Sequence, residues 1–250
     1  MGRKLVFIDI ETLPPPEDMR SHIPHSIIKK LARQRRADEG SGECTEEQFR
    51  RLALHGEYGR VLTIGVIVER DGVIEQHGLF GRERQTTMFH LDEARTLRGF
   101  WKMMRGFNPS RDLVIGHNVL EFDLPFLYKR SYIHRIQPTV ELSFARYRHA
   151  PIYDTMKEWA HWAFGNVLSL VELAAVLKVG ITKTEGLDGS KVYDNFCAGC
   201  HDKIARYCMQ DVELVRAVYY RMVRPEGPNP EPCVPMSLST ERTDENGSGQ

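Results

Sequence analysis

The amino-acid sequence predicts an α/β fold, a mixed β-sheet flanked by helices within a single domain. Three observations predict it. Three predicted strands come early, at residues 4–10, 60–69 and 73–80. Beyond them a short apolar run at 112–116 alternates with helical patterns. The 250 residues suffice for one substantial core, so one large domain is the default.

In chain order, the first strand over 4–10 is followed by a long connection, residues 14–57. Its segments 26–36 and 45–54 are predicted helices, joined by Asp38-Glu39-Gly40-Ser41-Gly42, a turn-forming stretch. The first helix carries Lys29, Lys30, Arg33, Arg35 and Arg36. Two readings stand for this insertion: a flap whose basic face guides a strand, or an amphipathic helix with a solvated charged face. Strands at 60–69 and 73–80 precede a helix from 91 to about 105, and a strand at 112–116 leads into a helix over 123–132. Further helices are predicted at 155–164, 168–177 and 201–222. Three early strands followed by alternating strand and helix make the ribonuclease-H-like pattern. Sites in open α/β sheets lie at the ends of central strands, which is where Asp9 and Asp123 would meet. The chain has no internal repeat and no Gly-rich phosphate loop.

The stretch Val6-Phe7-Ile8-Asp9-Ile10-Glu11-Thr12 carries the chemistry. Side chains alternate along a strand, so Asp9 and Glu11 share one face while Ile8 and Ile10 fill the other. Acid pairs at this spacing are common on solvated surfaces; this one has apolar neighbours. Two crowded, poorly hydrated carboxylates repel each other, and a divalent cation with oxygen ligands would offset both costs. Two constellations downstream join the pair. Gly116-His117-Asn118-Val119-Leu120-Glu121-Phe122-Asp123 follows the strand end Leu113-Val114-Ile115, and Tyr207 and Asp211 sit four apart on one face of a predicted helix.

These segments, in this order, resemble the three exonuclease motifs of the DnaQ-like (DEDD) 3′–5′ exonuclease superfamily. Tyr207 stands four residues before Asp211, whereas the position five residues before it, a histidine in the other branch, is Arg206. The chain is therefore similar to the tyrosine branch, DEDDy, and within it to the exonuclease domain of family B DNA polymerases. Tyr58-Gly59-Arg60-Val61-Leu62-Thr63-Ile64-Gly65-Val66 adds to the likeness, as do the segments 168–174 and 186–192. It spans about residues 4 to 223, leaves no room for polymerase palm or fingers, and assigns residues 1–224 to an exonuclease domain.

The resemblance implies two divalent cations, Mg²⁺ or Mn²⁺, about 4 Å apart and held by Asp9, Glu11, Asp123 and Asp211. Tyr207, with an ordinary pKa of about 10, would position water rather than act as a base. The products would be nucleoside 5′-monophosphates from a 3′ end. The resemblance also implies substrate contacts from Thr12, Leu13, Asn118 and Phe122. Leu13 and Phe122 fit core packing as well. Asn118 favours contact over its alternative, capping the helix that carries Asp123. Asp154 resembles a further acid near the cleft and equally an N-cap; Lys183 suits a phosphate or a solvated loop. His117 is read with no preference between a site role and a structural one. Single-stranded DNA is the expected substrate and partner; RNA, short oligonucleotides and cyclic dinucleotides stay open as alternatives, and protein partners are unknown. A binding module that kept the fold without the chemistry would typically lose metal ligands, and here all four acids and the tyrosine are present.

Composition bounds the rest. No run of about eighteen apolar residues offers a membrane span. The chain begins in a strand rather than a signal peptide, and its five cysteines suit a reducing compartment, so a cytoplasmic location is expected. The formal net charge is zero, but residues 225–250 hold five acids against Arg242, which leaves a body of 33 basic and 29 acidic residues. A modestly basic body around a metal-loaded acidic cleft suits a phosphodiester. Five prolines mark 225–250 as a disordered tail. Cys197-Ala198-Gly199-Cys200-His201 has the spacing of a c-type haem attachment motif, but the chain shows no export signal. A zinc set would need a fourth ligand, for which Cys208 is nearest in sequence; plain loop cysteines remain the preferred reading.

Overall fold

The computed structural model describes residues 2–33, 44–83, 86, 88–163, 165, 167–179 and 188–231. Five strands build one sheet: β1 (Lys4–Leu13), β2 (Arg60–Arg70), β3 (Val73–Phe80), β4 (Leu113–Gly116) and β5 (Ile152–Asp154), in the spatial order β3-β2-β1-β4-β5. β2 runs antiparallel to β1 and β3, whereas β4 and β5 run parallel to β1. β1 is the central strand and is buried along both faces, which its nearly unbroken apolar run requires. It pairs with β4 only from Leu5 to Phe7, so Asp9 to Leu13 project past the end of that neighbour. A register shift between Glu11 and Thr12 then bends the strand out of regular pairing with β2.

Helices cover both faces: α1 (His25–Arg33), α2 (Glu46–Arg51), α3 (Glu93–Met103), α4 (Asp123–Ile133), α5 (Thr155–Trp159), α6 (Leu170–Val176), α7 (Val192–Cys197) and α8 (His201–Val223). Alternation along β1 sorts the two cores. Val6, Ile8 and Ile10 pack under α3 and α4 with Leu97, Phe100, Trp101, Leu124 and Leu127. Phe7, with Ile67, Leu113 and Ile115, packs under α6 and α8 against Leu173, Val212, Val215 and Val218. The carboxylates of Asp9 and Glu11 thereby belong to the face that α8 covers.

Several elements differ from their sequence expectation. α5 stops at Trp159 rather than near 164, because His161 and Trp162 take left-handed φ values of 47° and 62°. β5 and α7 were not expected. α2 begins at a capping box in which Thr45 and Gln48 satisfy each other's backbone, and α6 begins at a second one built by Ser169 and Glu172. In the 14–57 connection, Phe49 and Leu52 form a small core with Ile23, Ile27, Tyr58 and Tyr193. Residues 225–231, expected within the tail, turn back along α8: Arg216 donates to the Glu231 carbonyl at 3.0 Å and Arg221 to Asn229 at 2.6 Å. Residues 232–250, Lys183, Arg35, Arg36 and the side chains of Lys30 and Arg33 lie outside the described residues.

Candidate active site

The sheet brings the acids together at the C-terminal ends of its parallel strands. Asp9 and Glu11 reach the site from β1; Tyr207, Cys208 and Asp211 reach it from one face of α8. Carboxylate oxygens of Asp9 and Glu11 and the Sγ of Cys208 all lie within 4.8 Å of one another. α8 lies close to the sheet because position 65 is glycine: a Cβ there would sit 2.8 Å from Val212 Cγ2 and 2.9 Å from Cys208 Sγ. Gly65 pairs directly with Asp9, so that contact lies immediately beside the acids. Asp123 arrives from the other face, in the first turn of α4, and accepts the Ile10 N–H at 3.1 Å.

Charge is concentrated here. Glu11, Asp123 and Asp211 are all buried. Burial, with Asp154 and Asp211 beside it, pushes the Asp123 carboxyl up to about 7. Burial likewise raises the Tyr207 phenol, which hydrogen-bonds Asp211 and faces Glu11 and Asp9. The Cys208 thiol is raised by its burial and by the same three acids. Hard oxygen donors converging in a buried, mutually repelling set fit a divalent cation such as Mg²⁺ or Mn²⁺.

A cavity of about 660 Å³ opens over this cluster, lined by Asp9, Glu11, Thr12, Phe122, Tyr207 and Asp211 together with residues that sequence reasoning missed. Those are Arg50, Arg51, Ala53 and Leu54 of the 14–57 connection, and Ser190 and Tyr193 around the start of α7. Arg50 is held by Glu46 and Asp194, at 2.6 Å each, and lies over the Tyr193 ring. The connection docks on the site strand where Thr12 Oγ1 donates to the Ala53 carbonyl at 2.8 Å. A sequence signal for these residues was absent, since Glu46 and Arg50 read as an ordinary surface pair.

The other expected residues are placed as follows. Phe122 is half-buried on the cavity wall. Leu13 is 1% exposed, packed with Leu62, Phe89, Val192 and Ile204, so its side chain does not reach the cavity. Asn118 takes a left-handed φ of 62° in the turn after β4, a conformation asparagine tolerates, and does not cap α4. Asp154 is the N-cap of α5 and also accepts the N–H groups of Asn118 and Leu120, both at 3.0 Å, which fastens the turn leading to Asp123. His117 bridges two neighbouring segments: Nε2 donates to the Leu168 carbonyl at 3.0 Å, and Nδ1 lies 2.9 Å from Thr155 Oγ1. Cys208, weighed above as a fourth zinc ligand, sits instead beside Asp9 and Glu11. His201 Nδ1 accepts the Phe89 N–H at 3.2 Å, while Cys197 and Cys200 are exposed.

Strand order, helix placement and the acid cluster define a protein of the ribonuclease-H-like class. Residues 48–229 match the model of the family described as predicted 3′–5′ exonucleases related to the exonuclease domain of PolB, and the chain belongs to that family. The family B DNA polymerase of the hyperthermophilic archaeon Pyrobaculum calidifontis shares the fold, with a TM-score of 0.54 and 18% identity. The similarity covers 90% of this chain and 25% of the polymerase, so the chain spans about a quarter of that protein's length. No curated protein matches the chain. Among the described residues, no helix is long and apolar enough to cross a membrane.

Proposed function

We propose that the chain is a metal-dependent 3′–5′ exonuclease that releases nucleoside 5′-monophosphates from the 3′ ends of single-stranded DNA. The observation that carries this reading is the convergence of Asp9, Glu11, Tyr207 and Asp211 on one cavity, with Asp123 held against the same strand. Two divalent cations held by Asp9, Glu11, Asp123 and Asp211 would supply a water of lowered pKa and neutralise charge at the phosphorus and the leaving oxygen. Tyr207, kept protonated by its burial and the surrounding acids, orients the attacking water by hydrogen bond. Phe122 and Leu54 offer apolar surface to the terminal base and ribose, and Arg51 offers a cation to a phosphate. Thr12 and Leu13 contribute backbone groups, and Asn118 shapes the turn that leads to Asp123. The 14–57 connection acts as a flap over the end of the strand.

The test compares 5′-labelled single-stranded DNA and RNA of one sequence, with Mn²⁺ or Mg²⁺ against EDTA. The expected outcome is a metal-dependent ladder shortening from the 3′ end, faster on DNA. Asp123→Ala should lower the rate about 10³-fold, the kinetic equivalent of several kcal/mol of charge stabilisation. Cleavage that survives Asp123→Ala would overturn the assignment, and faster loss of RNA would make the protein an exoribonuclease.

A further inference from the structure

Tyr147 and Trp162 form an aromatic pair outside all the hydrophobic clusters of the described residues. Their ring centroids are 5.2 Å apart with planes at 47°. Tyr147 is 69% exposed, and every residue from 143 to 150 is exposed. Both aromatic residues have a left-handed φ of 62°. That backbone is costly for bulky side chains, and such strain clusters at binding sites. At Trp162 it closes the end of α5, where the Lys157 carbonyl accepts the Trp162 N–H at 3.0 Å; at Tyr147, in the exposed stretch 143–150, no core packing accounts for it.

Basic residues adjoin the rings in sequence. Arg146, Arg148 and His149 flank Tyr147, and Lys157 and His161 precede Trp162. Against them the segments 141–150 and 155–162 hold two acids, Glu141 and Glu158. Arg148 and His149 have no hydrogen-bond or ion-pair partner among the described residues. The patch is tied to the chain beside the cavity: Glu121, the neighbour in sequence of the cavity-lining Phe122, pairs with Lys157 at 2.9 Å and with Arg146 at 3.7 Å.

We propose that Tyr147 and Trp162, with Arg146 and Arg148, form an extended subsite for single-stranded nucleic acid, holding the nucleotides 5′ of the one in the cavity. Bases stack on the exposed Tyr147 ring and the open side of the half-buried Trp162 ring, and phosphates meet the guanidinium groups. The direction of the strand rests on the 3′–5′ exonuclease reading; the binding chemistry of the patch does not.

The test measures binding without turnover. Fluorescence anisotropy of a labelled thymidine dinucleotide and dodecamer is followed in EDTA for the wild type, Tyr147→Ala/Arg148→Ala and the ring-preserving Tyr147→Phe. Hydrolysis with Mn²⁺ is measured separately. The affinity gained from dinucleotide to dodecamer should fall about tenfold in the double variant, the size of one lost base stack, and persist in Tyr147→Phe. An undiminished gain in the double variant overturns the subsite and leaves the exonuclease reading standing. A wild type that hydrolyses strands but gains nothing with length also overturns it, as would be expected if the patch instead met a protein. A length-dependent gain lost in the double variant, from a wild type that cleaves nothing, supports the subsite and sinks the exonuclease reading alone.

Discussion

Glu69 and Asp123 are equally buried, each 3% exposed, yet the protein treats them in opposite ways. Glu69, near the far end of β2, accepts from Arg216 at 2.9 Å and from the Tyr220 hydroxyl. Glu93 is handled alike, with Arg130 at 2.7 Å, His134 at 2.6 Å and the Val61 N–H at 2.6 Å. Asp123 has the Ile10 N–H, and its neighbours are acids, Asp154 and Asp211. For Glu69 and Glu93 the chain supplies its own cation. At the cavity it supplies further acids, an arrangement suited to a cation from solution.

The comparison can be broken at either end. Arg216→Ala strands Glu69 without its guanidinium, and urea denaturation should show a loss of about 3–5 kcal/mol. Strand hydrolysis below the unfolding transition should persist, since Arg216 does not line the cavity. Equal loss of stability and catalysis would mean that the two regions are one unit.

The second expected effect concerns pH. The Asp123 carboxyl stands near 7 when folded, against an ordinary 3.8, so the folded state holds its proton after the unfolded state has released it. Metal-free stability should therefore fall as pH rises between those values, by at most about 1.4 kcal/mol per pH unit for one proton. Mn²⁺ should reverse the fall, and Asp123→Asn should flatten it; thermal melts across the window check both. A stability that rose over this range would contradict the contrast with Glu69.

The smallest effect sharpens the division of labour inside the cluster. Tyr207→Phe removes one hydrogen bond and no charge, so turnover should drop about tenfold. Mn²⁺ affinity by calorimetry should hold.

What could be read in the sequence depended on local pattern. β1, β2 and β4 announce themselves by apolar runs; strand alternation pairs Asp9 with Glu11 and helical spacing pairs Tyr207 with Asp211, while the meeting of the two pairs was implied by the family resemblance alone. β5 has three residues, too few to show a period. α7 has six residues, too few to establish a helical period, and its last residue opens the Cys197–Cys200–His201 spacing. Arg51 and Tyr193 reach the cavity only through the way the 14–57 connection docks on Thr12, a tertiary contact that no local pattern encodes. Cys208 was legible in hindsight, being on the same helical face as Tyr207 and Asp211.

The glycine at position 65 has one more consequence. The separation between the strand's carboxylates and those of the long helix is a matter of clearance, and the clearance is maintained by a residue with no functional group. A methyl group there would meet Val212 and the Cys208 sulfur, and the helix would have to lift, carrying Tyr207 and Asp211 with it. Shifts of about 1 Å in such geometry are enough to cost catalysis heavily. A substitution that looks conservative, far down any ranking by chemical role, would then cost the proposed hydrolysis while leaving all four acids and Tyr207 in the chain.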